Sequence, residues 1–162
     1  MITQERLQEL LHYDPETGIF RWRVKRKKMN PGDVAGHTIG RGYVKISVHD
    51  KQYFAHRLAF LYMTGEFPPG VMDHINCVKN DNRWANLRSA THKINAENIR
   101  VATSRNKVGI LGVASPRNGR TQYKSSIQHN GARFHLGYFE TPELAHSAYI
   151  SAKRKLHKGG TL

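Results

Sequence analysis

Residues 71–98, VMDHINCVKNDNRWANLRSATHKINAEN, leave this chain little freedom in how it folds there. Val71–Ile75 has the make-up of a strand, Cys77–Asn82 that of a polar loop and Trp84–Arg88 that of a returning strand. Ser89 stands where a helix N-cap belongs, ahead of about ten residues of helix. Such a strand–loop–strand–helix unit brings Asp73 and His74 alongside the helix that carries Asn95, a compact place for one metal ion beside one general base.

The flanking segments read more conventionally. Thr3 caps a short helix with Leu7, Leu10 and Leu11 on one face, and Asp14-Pro15-Glu16-Thr17-Gly18 has turn chemistry. Ile19–Arg23 reads as a strand running into the basic stretch 21–28. Val44, Ile46 and Val48 alternate with polar neighbours as in a half-buried strand, and a second strand follows at Gln52–Ala55. A helix over 56–64 is stopped by Gly65 and by Pro68-Pro69-Gly70. The polar, aperiodic segment 101–110 is expected to be a linker. Beyond it come a strand at Ile110–Ala114, a hairpin of Tyr123–Gln128 and Arg133–Phe139 turning on Asn130-Gly131, and a helix opened by Thr141-Pro142-Glu143. Tyr123, Ser125 and Ile127, with Phe134, Leu136 and Tyr138, are expected on one face of that hairpin, covered by Leu144, Ala148, Ala152 and Leu156 of the helix. The other face then shows Lys124, Ser126, Gln128, Arg133 and His135.

The charge points to a partner. Against 12 Asp+Glu stand 26 Lys+Arg, a formal net charge of +14 on 162 residues, and nucleic acid is the commonest polyanion to answer it. Residues 101–162 carry 10 Lys+Arg and 2 Asp+Glu against 16 and 10 in residues 1–100, so the shorter C-terminal part is the more cationic per residue. The basic residues are not gathered on one amphipathic segment, which argues against a membrane-surface helix. Cys77 is the only cysteine, so an internal disulfide or a multi-cysteine zinc staple is excluded. With no apolar run of membrane-spanning length and no secretory leader at the start, a soluble intracellular protein is expected.

The residue types at 71–98 suit hydrolysis of a phosphodiester. The reaction needs a nucleophilic water, a base for its proton and positive charge against the leaving oxygen. An imidazole titrates near neutrality. A carboxylate with a neutral amide oxygen suits a hard ion such as Mg²⁺. A second amide, Asn86, can fix the imidazole's tautomer by accepting its other N–H.

These residues resemble the HNH endonucleases, more closely the phage and intron-encoded homing type. The resemblance rests on Ala55-His56-Arg57-Leu58-Ala59-Phe60, Asp73-His74-Ile75-Asn76, Asn82-Arg83, Asn86-Leu87-Arg88, Asn95 and Asn98, with YDPETGIFRW, Val34-Ala35-Gly36 and Gly42-Tyr43 upstream. It covers roughly residues 13–98, and by it the fold is α+β with a ββα-metal core preceded by N-terminal strands. The resemblance implies His74 as base, Asn86 as orienting residue, and Asp73 and Asn95 as ligands of a single Mg²⁺ or Mn²⁺. Asn95 fills the third place of the motif where other members have histidine. His92, one turn before Asn95, is an alternative ligand. His56 is either packed in the core or catalytic, Arg57 and Arg88 either touch phosphate or flank the core, and the Asn80–Asn82 loop is either a solvated turn or a groove contact. Cys77 is not expected to act as a nucleophile.

Residues 111–157 resemble the AP2 DNA-binding domain, a three-stranded sheet with a helix behind, through Gly112-Val113, Gly131-Ala132-Arg133, Leu136-Gly137-Tyr138-Phe139 and Thr141…Ala145…Ala148-Tyr149. The family's arginine and tryptophan positions are occupied here by Ala114, Pro116 and Asn118, so no base specificity transfers. Arg117, Arg120, Lys124, Arg133 and His135, with Arg57 in the first half, are the candidate DNA contacts. The expected organisation is a nuclease domain over 1–100 (core about 55–98), a linker at 101–110 and an AP2-like domain over 111–158. The expected function is a site-specific, metal-dependent cut in double-stranded DNA leaving 5′-phosphate and 3′-hydroxyl ends, by a monomer or weak dimer in a bacterial cytoplasm. The competing reading is a DNA-binding repressor or architectural factor without catalysis.

Overall fold

The computed structural model describes residues 1–117, 119 and 121–157. Arg120, a candidate DNA contact, and Asn118 lie outside the described residues. The chain divides into two compact units, Met1–His92 and Lys93–Leu162.

The first unit begins with α1 (Gln4–Leu10), whose N-cap Thr3 accepts a hydrogen bond from the Arg6 amide as its sequence predicts. Leu11 does not continue the helix. It opens β1 (Leu11–Asp14), which pairs antiparallel with β2 (Ile19–Trp22) around the Asp14–Gly18 turn. Three strands, β3 (His37–Thr38), β4 (Val44–Val48) and β5 (Lys51–Phe54), form an antiparallel sheet in that order. The helix α2 (Ala55–Thr64) follows directly and ends on Gly65, whose φ of 84° makes it a left-handed C-cap. Leu7, Leu11, Tyr13, Phe20, Ile46, Val48 and Leu58 fill the core between these elements.

The last part of this unit is an antiparallel ribbon of β6 (Val71–His74) and β7 (Leu87–Ala90). Two expectations are corrected here. Trp84–Asn86 is a turn of 3₁₀ helix and the returning strand starts only at Leu87. Ser89 is a strand residue opposite Met72, not a helix cap, and the next helix, α3 (His92–Glu97), has six residues rather than about ten. With Thr91 and His92 after the strand, the chain turns later than Ser89 suggested.

The first hairpin supports this ribbon's loop. The Tyr13 hydroxyl, buried, donates to the Asn82 carbonyl at 2.7 Å, and the Trp84 amide donates to the Pro15 carbonyl at 2.9 Å. Burial raises the Tyr13 pKa, so the hydroxyl stays a donor. Gly18 (φ 73°) lies so close that a Cβ there would sit 2.4 Å from the Asn82 carbonyl carbon and the Arg83 nitrogen.

The second unit contains β8 (Val113–Ala114), β9 (Tyr123–His129) and β10 (Ala132–Phe139) in the order β10-β9-β8, packed on α4 (Pro142–Leu156). Asn130 and Gly131 both take positive φ, 50° and 80°, as a two-residue hairpin turn requires. Thr141 caps α4 by accepting from the Leu144 amide, with Pro142 in the first turn. The buried stripe of α4 is one residue later than expected: Ala145, Tyr149 and Lys153 face inward, while Leu144 is 54% exposed. Lys153 can occupy a core position because its ammonium donates to the Ile99 carbonyl. A bulge between His135 and Gly137 shifts the register, so Tyr138 pairs with Lys124 and joins the open face rather than the covered one. Among the described residues no helix is long and apolar enough to cross a membrane.

Candidate active site

The pleat of β6 separates its two functional residues. Asp73, 2% exposed, lies opposite Arg88 on β7, and its Oδ2 accepts from Arg88 Nε at 3.0 Å and Nη2 at 2.8 Å. A carboxylate so deeply buried requires a cationic partner, and the cross-strand guanidinium supplies one.

His74 is 0% exposed and meets a different set of groups. Its Nε2 lies 3.3 Å from Asn82 Oδ1, while Asn82 Nδ2 donates to the Asn80 carbonyl at 3.3 Å. The second contact turns the amide oxygen toward the ring, so the neutral imidazole carries its proton on Nε2 and its lone pair on Nδ1. Burial lowers the His74 pKa. Lys79 adds to the lowering, and the Asn82 hydrogen bond with the Asp73 and Asp81 carboxylates opposes it. At neutral pH the ring is therefore a neutral acceptor, the form a base needs.

Aromatic rings enclose it. His56 meets His74 edge-on with centroids 5.1 Å apart, and Tyr43 lies 6.0 Å away. Tyr43 also carries Lys79 Nζ over its face at 5.5 Å. His56 stacks on Phe54 at 5.3 Å, and its Nδ1 is buried without a hydrogen-bond partner among the described residues. Burial, with His74, Arg57 and Lys79 nearby, pushes its pKa down to about 3. The packed reading of His56 is the one the geometry matches, and its packing places it against the candidate base.

The 75–82 loop is braced by side chains. Asn86 Oδ1 accepts the Asn76 amide at 2.9 Å and Asn86 Nδ2 donates to the Asp81 carbonyl at 2.7 Å. Arg83 grips both oxygens of Asp81 at 2.8 and 2.6 Å and, with Asn76, holds that carboxyl down at about 2. Asn86 thus orients the loop, and the amide on the imidazole is that of Asn82, which corrects the expected contact. Within the Asn80–Asn82 loop Asn80 is exposed and Asn82 is buried, and the place of Asn82 directly before Arg83 carried no signal for this role.

The remaining candidates are spread. Arg57 turns its guanidinium to the carbonyls of Pro68 (3.5 Å) and Gly70 (3.4 Å) and lies 5.9 Å from the Phe67 ring, which is the core-flanking arrangement. His92 is exposed, and Asn95 is half-buried on α3. In the second unit Arg117, Lys124 and Arg133 border one shallow cavity of about 360 Å³ together with Ser126 and Tyr138. The His135 ring packs on Tyr138 with centroids 4.7 Å apart, so these four candidates share one surface. Glu97, His129 and His157, which no motif singles out, come together in the second unit with one ligand atom each within 4.8 Å of the others.

Residues 53–97 match the family model described as HNH endonuclease. The matched stretch contains Asp73, His74, Asn82, Asn86 and Asn95, and it supports a nuclease acting on DNA. No curated protein and no solved structure matches the chain.

Proposed function

We propose that this chain is a metal-dependent endonuclease of the homing type, hydrolysing a phosphodiester bond in double-stranded DNA with His74 as general base. One observation carries the reading. A buried imidazole, kept neutral by burial and given its tautomer by Asn82, sits inside the stretch that matches the HNH endonuclease model.

The donors available for a divalent ion have the right chemistry. Asp73 offers a carboxylate and Asn95 an amide oxygen, both hard ligands of the kind Mg²⁺ or Mn²⁺ takes. Held there, the ion would supply positive charge against the phosphate and the departing 3′ oxygen. Arg88 shares Asp73, holding that carboxylate in its orientation. His74 Nδ1 takes a proton from water as the water oxygen bonds to phosphorus. The bond from phosphorus to the 3′ oxygen breaks, and that oxygen leaves to collect a proton. The products are a 5′-phosphate and a 3′-hydroxyl. Asn82 holds the proton on Nε2 throughout, and Asn86 with Asp81 keeps the loop that presents Asn82 in place.

The open sheet face of the second unit supplies duplex contacts through Arg117, Lys124, Arg133 and His135, in keeping with its resemblance to the AP2 domain. One such site per chain cuts one strand, so a monomer nicks and a double cut needs two copies.

A second reading has its own observation. The tight Asp73–Arg88 pair and the fully buried His74 suit a DNA-binding protein that does no chemistry. Incubation of supercoiled plasmid bearing source-genome DNA, with Mg²⁺ or with EDTA, separates the two. Open circles that need the metal and disappear with His74→Ala support the enzyme. Tight, salt-sensitive binding of that DNA without any cut favours the binder.

A further inference from the structure

Three structural elements of the second unit end at one place. Glu97 closes α3, His129 closes β9, and His157 follows the last turn of α4. A ligand atom from each lies within 4.8 Å of the others, and Glu97 Oε1 is 4.0 Å from His129 Nδ1. That separation exceeds a hydrogen bond by about 1 Å.

The two histidines are arranged as ligands are. His157 Nε2–H donates to the Gln128 carbonyl at 2.8 Å, so the lone pair of the neutral ring is on Nδ1. That Nδ1 is buried and has no hydrogen-bond partner among the described residues, and the same is true of His129 Nδ1. The rings stack with centroids 5.8 Å apart and planes 26° from parallel. Two buried, unpartnered ring nitrogens in a group with a buried carboxylate, one of the rings fixed in tautomer by a backbone carbonyl, match the second-sphere pattern of a metal-bound histidine. As plain packing it leaves two buried ring nitrogens unsatisfied, at a cost of about 1–3 kcal/mol each.

We infer that Glu97, His129 and His157 form a binding site for a zinc-type transition-metal ion. Two imidazoles and one carboxylate suit Zn²⁺ or Co²⁺, whereas Mg²⁺ prefers oxygen ligands throughout. The three residues border a cavity of about 370 Å³ that also touches Thr103 and Tyr149, giving the ion a route in and space for a water as fourth ligand. Lys93 opposes the site only weakly, since its Nζ lies 4.0 Å from Glu97 Oε1 and donates to Asn130 Oδ1 at 2.5 Å. The ion would pin the end of α4 to the β9–β10 hairpin and to α3, a helix too short to be stable by itself. The site shares no residue with the proposed nuclease centre and does not depend on that reading.

The test is titration of the chelator-stripped full-length chain with Zn²⁺ and Co²⁺, in the presence of millimolar Mg²⁺. One equivalent should bind, and Co²⁺ should develop the visible absorption of a low-coordinate nitrogen–oxygen site. Glu97→Gln, His129→Gln and His157→Gln should each weaken zinc by more than about 100-fold, while Asp73→Asn and His74→Ala leave it unchanged. Lys93→Ala removes a neighbouring positive charge and should tighten zinc several-fold, an effect no misfolded variant would mimic. Zinc affinity that the three substitutions do not alter, or that Asp73→Asn abolishes, would overturn the site. So would the absence of micromolar binding in the intact chain, which would leave a bridging water in its place.

Discussion

The two units treat their candidate catalytic and DNA-contacting side chains in opposite ways. The first hides them: Asp73, His74, Asn82 and Asn86 are buried, each with its own hydrogen-bond partners, and burial lowers the pKa of His56 and of His74. The second displays them, on a sheet face where Arg117, Lys124, Arg133, His135 and Tyr138 border open space. Burial fixes tautomer and charge state, which chemistry requires, while exposure keeps cations solvated and free to exchange counterions for phosphate, which association requires. The contrast teaches that net charge alone says nothing about where a reaction would take place. The more cationic unit lacks the candidate base, and the less cationic one holds it.

The largest expected effect breaks the comparison if it fails. Replacing His74 by alanine should lower the rate of DNA cleavage by about 10²–10⁴-fold while leaving DNA affinity within about twofold. Single-turnover nicking measured beside filter binding checks both. Equal losses in the two would mean that the buried set serves binding as well, and the division of labour would fall.

Second in size is an acid instability located in the first unit. His56 titrates at about 3 when folded and near 6.5 when unfolded, so between those values the unfolded chain binds the extra proton. Stability is therefore complete above pH 6.5 and falls as the pH drops through and below it, by about 1.4 kcal/mol per unit for one such group. His74, shifted in the same direction, adds to the slope. Urea midpoints at pH 7.5 and pH 4.5 should differ by about 2–3 kcal/mol more in the wild type than in His56→Phe. An unchanged difference would mean that His56 is solvated.

How much of this could be read in the chain depended on whether the deciding contact was local. Thr3, Gly65, Asn130-Gly131 and Thr141-Pro142 announce their structure because a cap or a turn is settled within four residues. Asp73 and His74 were likewise legible as a pair of unlike functional groups on one strand. Asn82 was not, because its value lies in a contact with a ring eight residues away and in support from Tyr13, sixty-nine residues away. The α4 stripe was misplaced by one residue because Lys153 reads as polar until its ammonium finds the Ile99 carbonyl. A single bulge at His135–Gly137 moved Tyr138 to the other face, and strict alternation cannot foresee an extra residue. The Glu97–His129–His157 group spans sixty residues without a spacing rule, so only the fold assembles it.

The third prediction tests whether the buried set depends on the hairpin beneath it. Gly18→Ala forces a Cβ to within 2.4 Å of the Asn82–Arg83 backbone at a positive φ, so the loop must shift. A loss of about 2 kcal/mol in stability is expected, together with a fall in cleavage rate that exceeds any fall in DNA affinity. Gly32, with open space around it and φ 94°, is the control: alanine there carries the backbone strain alone and should spare the nuclease rate.

The smallest effect sharpens the comparison from the other side. Lys124→Ala and Arg133→Ala each remove one cation, half-buried at 124 and exposed at 133, from the open sheet face. If these side chains meet phosphates, each substitution should reduce the slope of log affinity against log salt by about 1. The weakening should be the same on specific and random duplexes, since phosphate contacts carry no sequence information. The single-turnover nicking rate at saturating DNA should not change. A variant that alters this rate but not the salt slope would place the exposed face inside the chemistry. A variant that weakens only the specific duplex would make the residue a reader of base edges rather than of the backbone.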